Sequence, residues 1–296
     1  MNNRKEDYKN FLIEKFGKKL LNVMIRNENQ LCLKEEIKYD TGINNSEYTV
    51  KVLDDYPEKI KDKLTDYALK EWVFDFPGWI GELNFDETNA PVRDIMVVGM
   101  EPHIEGRYYQ TTYGLRKTVN GFGEIKNSNN KNIWKNLYSV FSEEKLSSGE
   151  ECYEEKFLSR IYITDLSHFA IKGKANQMKI YSNWRDIRTV VAEEFLIREI
   201  KLIKPKYIVS QGNDVAKVIK VILEKEFGSP NMFIDFKNKL KGWKSTPILQ
   251  KFEKNDLKVI HVKLPHLASG QTQWRWKIMN ENENFRNELN KKINNF

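Results

Sequence analysis

Hydrophobic and polar positions divide the chain into two parts with different patterns. Over residues 1–90, charged residues are frequent and apolar residues recur at helical spacing, most clearly over residues 10–25 and 58–74. The pattern changes at Pro91, beyond which short apolar runs dominate. We therefore predict a helical N-terminal extension or accessory lobe over residues 1–90, acting either as a cap on the rest of the fold or as a partner-binding element.

Beyond Pro91 the apolar runs alternate with amphipathic segments. Runs at residues 93–100, 160–164, 206–210 and 258–264 are short and rich in β-branched residues, which is typical of buried strands. Residues 132–141, 184–203 and 214–226 have the spacing of helices, and Lys204-Pro205 ends the second of them. This alternation predicts an α/β fold, a three-layer arrangement around a short, mostly parallel four-stranded sheet. We place this domain at residues 91–280, followed by a C-terminal helix or tail at residues 281–296.

Composition narrows the class of protein. Of the 296 residues 40% are hydrophobic, with no run of about 18 apolar residues and no apolar N-terminal signal segment, so we expect a cytoplasmic protein without a membrane partner. The two cysteines, Cys32 and Cys152, lack metal-site spacing, and His261 and His266 point to opposite faces of a strand. We therefore expect no metal and no cofactor. The net charge of +7 permits a polyanionic partner without requiring one.

Polar residues follow three of the predicted strands. Open parallel sheets bind ligands at the carboxyl ends of their strands, where the sequence places Glu101, Asp165 and His266. Each has a structural explanation on its own: a turn cap, a helix N-cap or a structural histidine, respectively. Two carboxylates and a histidine that converge on one edge favour a catalytic site.

Four segments surround these residues, namely residues 99–103 (Gly-Met-Glu-Pro-His), 110–114, 204–212 and 264–270. They resemble motifs of the uracil-DNA glycosylase superfamily, in particular its single-strand-selective and mismatch-specific branches. Residues 99–103 resemble the first motif, in which Asn or Asp stands at the position of Glu101. Residues 264–270 resemble the second motif, with Leu267-Ala268 in place of its Pro-Ser pair. Residues 110–114 resemble the segment with a Gln-Thr pair and a stacking aromatic, and residues 204–212 resemble the Pro-Lys strand that ends in glycine.

The resemblance covers roughly residues 91–280 and implies a monofunctional DNA glycosylase, without lyase activity, that acts as a monomer on double- or single-stranded DNA. Such enzymes flip a base out of the helix and hydrolyse its N-glycosidic bond. It implies that Glu101 orients or deprotonates water, that His266 donates to the base oxygen, and that Tyr113 stacks on the base. The other implied base-binding residues are Asp165, Met100, Gln110, Thr111 and His103. The implied DNA-binding residues are Pro102, Ser269, Gly270, Gln271, Trp274, Arg275 and Gly212.

Asp165 departs from the family pattern, because residues 162–165 resemble the strand that carries a base-reading Asn. An amide matches the donor and acceptor of uracil, whereas an ionised Asp165 only accepts and suits the amino group of cytosine. Because excision of ordinary cytosine would destroy the host's own DNA, we predict a modified cytosine, such as a 5-substituted base of phage DNA, and an antiviral role. The small Gly114 beside Tyr113 is compatible with room near C5 of the base.

Three other functions fit the same residues. The first is conventional uracil repair, with Asp165 as a cap. The second is a catalytically silent DNA- or partner-binding member of the fold, which Glu101 and the missing Pro-Ser pair favour. The third is a nucleotide or nucleoside hydrolase on a doubly wound sheet, which would lack salt-sensitive DNA binding. Tyr113, Trp274 and Trp276 also suit an ordinary hydrophobic core.

Overall fold

The structure, a computed structural model, describes a defined part of the chain. The described residues are 4–16, 25–27, 32–33, 58, 73–74, 77–79, 83–85, 90–100, 103–104, 131–142, 155–166, 169–172, 189–236, 247–267 and 273–295. The strands in these ranges are β1 (Ile25–Asn27), β2 (Cys32–Leu33), β3 (Val73–Phe74), β4 (Gly78–Trp79), β5 (Ile95–Gly99), β6 (His103–Ile104), β7 (Ile161–Asp165), β8 (Phe169–Lys172), β9 (Tyr207–Gln211), β10 (Met232–Asp235), β11 (Ile248–Lys254) and β12 (Leu257–Leu264). The helices are α1 (Arg4–Phe16), α2 (Lys131–Phe141), α3 (Glu155–Leu158), α4 (Ile197–Ile203), α5 (Asn213–Phe227), α6 (Gln273–Glu281) and α7 (Glu283–Asn294).

The main sheet of the described residues has seven strands in the order β10-β11-β12-β9-β5-β7-β4. Its neighbours β12, β9, β5 and β7 are parallel, and they are the four strands that the sequence predicts. Strands β10, β11 and β4 join antiparallel, so the sheet is larger and more mixed than predicted. Strands β11 and β12 form a hairpin in which Asn255 takes a left-handed φ of 54°. The predicted α/β class is confirmed.

Hydrophobic side chains cover both faces of the sheet, because successive residues of a strand point to opposite sides. On what we call the first face, Met96 and Val98 of β5 pack in one cluster with residues of α1, α4 and α5. On the second face, Ile95 and Val97 pack in another cluster with residues of α2, α3, α6 and α7.

The N-terminal region differs from the helices predicted over residues 10–25 and 58–74. Helix α1 starts at Arg4 and ends at Phe16. Its buried residues Tyr8, Phe11, Leu12 and Lys15 recur at helical spacing and form one side of the helix. Ile25 lies in β1, and Val73–Phe74 form β3, which pairs antiparallel with Phe169 and Ala170. These two helix predictions are therefore wrong at those positions. Helix α1 packs in the first-face cluster, while the domain boundary near residue 90 stays a prediction.

A π-helical segment, Ala192–Leu196, precedes α4. Buried residues across this segment and α4 recur every four positions: Val191, Ala192, Phe195, Leu196, Glu199, Ile200 and Ile203. A regular α-helix of 3.6 residues per turn would rotate such a stripe away from the sheet, and the wider π turn brings it back. Helix α4 ends at Ile203, as the sequence predicts, and is followed by Lys204, which has a left-handed φ of 51° and precedes Pro205.

The C-terminal segment predicted as a helix or tail contains helix α7. The side chain of Asn282 accepts a hydrogen bond from the backbone N–H of Phe285 and caps its first turn. Although α7 is mostly polar, Phe285, Leu289 and Ile293 are buried in the second-face cluster. None of the helices in the described ranges is both long enough and apolar enough to cross a membrane.

Candidate active site at the carboxyl edge of the sheet

The carboxyl ends of the four parallel strands lie side by side. Gly99 at the end of β5 is the direct partner of Asp165 at the end of β7. Leu264 at the end of β12 is the partner of Gln211 at the end of β9. One edge of the sheet therefore runs from Asp165 through Gly99 and Gln211 to Leu264, which is the edge where parallel sheets bind ligands.

The carboxylate of Asp165 lies over the backbone of Gly99. A Cβ atom added to Gly99 would stand 1.9 Å from Oδ1 of Asp165, a separation that two non-bonded atoms do not tolerate. The backbone N–H of Leu166 donates to the carbonyl of Gly99 at 3.1 Å. Asp165 is the last residue of a strand and not a helix N-cap. The missing side chain of Gly99 therefore provides the space that the Asp165 carboxylate fills.

His266 follows β12 by two residues and has an exposed side chain. Strands β12 and β7 are three positions apart in the sheet, so at a spacing of about 4.8 Å the two sides of the site stand roughly 14 Å apart. The backbone around His266 is held at two points: Nε1 of Trp276 donates to the carbonyl of His266 at 3.2 Å, and Nδ2 of Asn136 donates to the carbonyl of Leu267 at 3.0 Å. These two bonds hold the backbone at His266 and Leu267, while the side chain of His266 is exposed.

Several predicted site residues lie outside the described part of the chain. They are Glu101, Pro102, Gln110, Thr111, Tyr113, Gly114, Ser269, Gly270 and Gln271. The backbone of His103 belongs to β6 and pairs with Ile171 of β8. Met100, directly after β5, is half-buried and packs against the first-face cluster. Of the three residues predicted to converge, the structure places Asp165 and His266 at the same edge.

The three aromatic and cationic residues near the start of α6 differ in exposure. Trp276 is 1% exposed and belongs to the core, as its structural explanation predicts. Trp274 is 47% exposed, so a core role does not describe it. The guanidinium carbon of Arg275 lies 5.3 Å from the centre of the Trp274 ring, in cation–π contact. Nε of Arg275 has no hydrogen-bond partner among the residues described.

Gly212 connects β9 to α5 at the middle of the edge. Its φ of 90° is a conformation that L side chains rarely adopt, which explains the glycine. Its N–H donates to the carbonyl of Leu264 at 2.9 Å and ties β9 to the end of β12. A Cβ at this position would meet no atom within 4 Å.

A buried chain of polar side chains beneath the edge was not predicted from the sequence. Nδ1 of His261 lies 3.1 Å from Oε1 of Gln250, and Nε2 lies 2.9 Å from Oγ of Ser210. Because an amide oxygen only accepts, Nδ1 carries the proton and Nε2 accepts from the serine hydroxyl. Burial, with a smaller effect from Lys263, lowers the pKa of His261 to about 3, so the ring is neutral.

This chain has the order of a nucleophile, a base and an orienting group. Ser210 is 0% exposed, however, and a substrate cannot reach it. The role of Ser210 is structural. The sequence signal for it is a polar residue at an inward position of a buried strand, and Asn136, a polar residue on the buried side of α2, has the same kind of signal. Neither residue was predicted from the sequence.

Within the described ranges, no group of three or more His, Cys, Asp and Glu residues is arranged to hold a metal ion. The fold and this edge define the chain as an α/β protein with an aspartate and a histidine at the carboxyl end of its parallel strands. Comparison of the sequence with protein-family models and with curated proteins found no match.

Proposed function

We propose that this protein is a monofunctional DNA glycosylase that excises a modified cytosine. The observation that carries the proposal is the Asp165 carboxylate above Gly99, at the ligand-binding edge of the sheet and beside the strand that leads to Glu101. Gly99 begins the segment that resembles the first motif of the uracil-DNA glycosylase superfamily. The position of Asp165 gives a physical reason for glycine there.

In the proposed reaction, DNA engages the carboxyl edge and one nucleotide rotates out of the stack to lie at that edge between Asp165 and His266. Strands β5 and β9 separate the strands of these two residues, and the roughly 14 Å across them exceeds the width of a pyrimidine ring with a side chain on either side. Tyr113 stacks on the flipped base, which offsets part of the cost of a few kcal/mol for removing it from the helix.

Bond cleavage needs water and no other reactant. The C1′–N bond breaks with its electron pair on the base, while C1′ develops positive charge. Glu101 stabilises that charge and takes a proton from the attacking water, whose oxygen bonds to C1′. His266 donates a hydrogen bond to the base oxygen, where negative charge develops. The departing base takes a proton from solvent, and Glu101 returns the proton of the attacking water to solvent. The products are an abasic site and a free base, and no metal or cofactor takes part.

Base selection depends on Asp165. Its ionised carboxylate accepts from the exocyclic amino group of cytosine and repels the O4 oxygen of uracil. A well-placed contact of this kind discriminates by about 1–3 kcal/mol, or about 5- to 150-fold. The host's unmodified cytosines must be spared, so the substrate carries a substituent, which a 5-modified phage base provides.

DNA contact in this proposal extends beyond the base pocket. The exposed ring of Trp274 stacks on a base or enters the duplex as a wedge, and Arg275 beside it contacts phosphate. Gly212 allows close approach of the DNA backbone at the middle of the edge, because it has no side chain. We also propose a three-layer catalytic unit that acts as a monomer in the cytoplasm against foreign DNA.

Base release from a panel of DNAs tests the proposal. The panel contains uracil, cytosine and small or bulky 5-modified cytosines, each in duplex and single-stranded DNA. We expect release of a modified cytosine alone, loss of release in Glu101→Gln, and a shift toward uracil in Asp165→Asn.

Each other outcome points to one of the alternatives. Release of uracil as fast as any cytosine would refute the specificity argument and support uracil repair. DNA binding without release from any substrate would refute the enzyme assignment in favour of a silent binder. Hydrolysis of free nucleosides without salt-sensitive DNA binding would place the chain among nucleoside hydrolases.

A further inference from the structure

A buried polar cluster, which we call the Glu199 cluster, joins the N-terminal helix to the strand that carries Asp165. Its members come from α1, β7 and α4. They are Tyr8, Lys15, Tyr162, Thr164 and Glu199. Glu199 is 0% exposed and Lys15 has a side chain that is 2% exposed, so the carboxylate and the ammonium group are both withdrawn from water.

The carboxylate of Glu199 uses both oxygens. Oε2 accepts from Nζ of Lys15 and from Oγ1 of Thr164, each at 3.1 Å. Oε1 accepts from the hydroxyl of Tyr162. Because that bond uses the only hydroxyl proton of Tyr162, the Tyr8 hydroxyl, 2.7 Å away, donates to Tyr162. The hydrogen bonds therefore have one direction, from α1 toward Glu199.

This arrangement fixes the end of β7. Tyr162 and Thr164 are two residues apart, point to the same face and bind the same carboxylate. Asp165 follows immediately and points to the other face, and the next residue, Leu166, is bound to Gly99. The backbone on both sides of Asp165 is therefore held, on one side through Glu199 and on the other through β5.

We propose that α1, through Lys15 and Glu199, positions Asp165 for base recognition, and that Lys15, Glu199 and Thr164 are positioning residues. This inference rests on the proposed function for the role of Asp165 in catalysis. A base-reading carboxylate must be held to within about 0.5 Å, and packing and hydrogen bonds of the surrounding side chains provide this precision. The helix at the N-terminus supplies that support from a segment remote in sequence.

Thr164→Val tests the proposal, because valine keeps the shape of threonine and removes the hydroxyl that binds Glu199. Thr164→Ser restores the hydroxyl. Tyr207→Phe is the matched control: it also removes a buried tyrosine hydroxyl, but one that donates to the carbonyl of Ile293, outside the Glu199 cluster. All are compared well below their melting temperatures, in base release from the substrate that the wild type prefers.

We expect Thr164→Val to lower kcat by about 10- to 100-fold with KM nearly unchanged, since misplacement of a group by about 1 Å costs up to about 100-fold. Thr164→Ser should recover most of this loss, and Tyr207→Phe should keep kcat within about twofold of wild type. A loss of kcat in Tyr207→Phe equal to that in Thr164→Val would overturn the proposal, because general loosening would then explain both.

A second measurement separates this inference from the proposed function. The ¹³C resonance of the Asp165 carboxyl, assigned with Asp165→Asn, reports the position of that group without any substrate. We expect its chemical shift to change in Thr164→Val beyond any change in Tyr207→Phe. If wild type releases no base, the proposed function fails, while this resonance still decides whether the cluster positions Asp165. An unchanged resonance in Thr164→Val would overturn the positioning role.

Discussion

Acid should destabilise this protein through His261, whose neutral ring is fully buried between Gln250 and Ser210. Burial lowers the pKa of His261 from 6.5 to about 3. Between these two pH values His261 is protonated in the unfolded chain and neutral in the folded protein. The unfolding free energy therefore falls as pH drops below 6.5, and this loss is complete near pH 3. Its limit is about 5 kcal/mol, of which about 2 kcal/mol is lost between about pH 7 and about pH 5.

Urea unfolding at a series of pH values measures this loss. Two kcal/mol corresponds to a drop in the midpoint on the order of 1 M. Salt-bridged carboxylates such as Glu226, whose pKa is lowered by Lys201 and Lys254, lose their stabilisation only at more acidic pH. The fall in unfolding free energy between about pH 7 and about pH 5 therefore comes from histidine. His261→Asn should flatten the curve between about pH 7 and about pH 5.

Nitrogen NMR of the ring provides a direct check where His261→Asn folds poorly. The two nitrogens of His261 should keep different shifts at about pH 5, with the proton on Nδ1. Protonation of His261 near its ordinary pKa, or a midpoint that stays constant between about pH 7 and about pH 5, would refute the reasoning.

Three further predictions concern single substitutions. Gly99→Ala places a methyl group where the Asp165 carboxylate lies and should reduce base release by about 100-fold in steady-state assays, while the circular dichroism spectrum stays native; unchanged release would contradict a role of Asp165 at this position. Lys15→Met leaves Glu199 buried without its counter-charge and should cost about 3–5 kcal/mol in urea unfolding, with partial recovery in Lys15→Met/Glu199→Gln; a loss below about 1 kcal/mol would contradict the ion pair. Trp274→Ala should weaken DNA binding about 10-fold in fluorescence titrations with little change in Tm, because the ring is exposed; equal affinity would remove Trp274 from the interface.

The parallel part of the sheet could be predicted because its strands are buried on both faces. All four residues from 95 to 98 are apolar and buried, a pattern that surface segments do not show. Strand β11 was missed because its sequence, Ile-Leu-Gln-Lys-Phe-Glu-Lys, contains more polar than apolar positions. Strand β10 is four residues long and mostly exposed, and β4 has two residues. Such strands are defined by their partners and carry little signal of their own.

The sequence could place Asp165 and His266 at one edge of the sheet, but it did not show which side chains hold them there. Asp165 ends one strand and His266 follows another by two residues, and both strands have clear hydrophobic patterns. That this edge binds a ligand stays a prediction. The hydrogen bond from Asn136 to the carbonyl of Leu267 joins residues 131 positions apart. Hydrophobic periodicity shows which face of α2 is buried, but it does not show which loop lies opposite.

Helix α1 shows how a long-range pair changes the interpretation of a whole segment. Lys and Glu are almost never buried alone, so Lys15 and Glu199, taken separately, indicate surface helices. That expectation favours an accessory lobe for the N-terminal residues. Because the two charges pair at 3.1 Å, the side of α1 that carries Lys15 and the side of α4 that carries Glu199 are both buried. Tyr8, Phe11 and Leu12 of α1 pack in the same first-face cluster. Because an unpaired buried charge is costly, each residue depends on the other across 184 positions, and α1 stays bound to the strand that ends in Asp165.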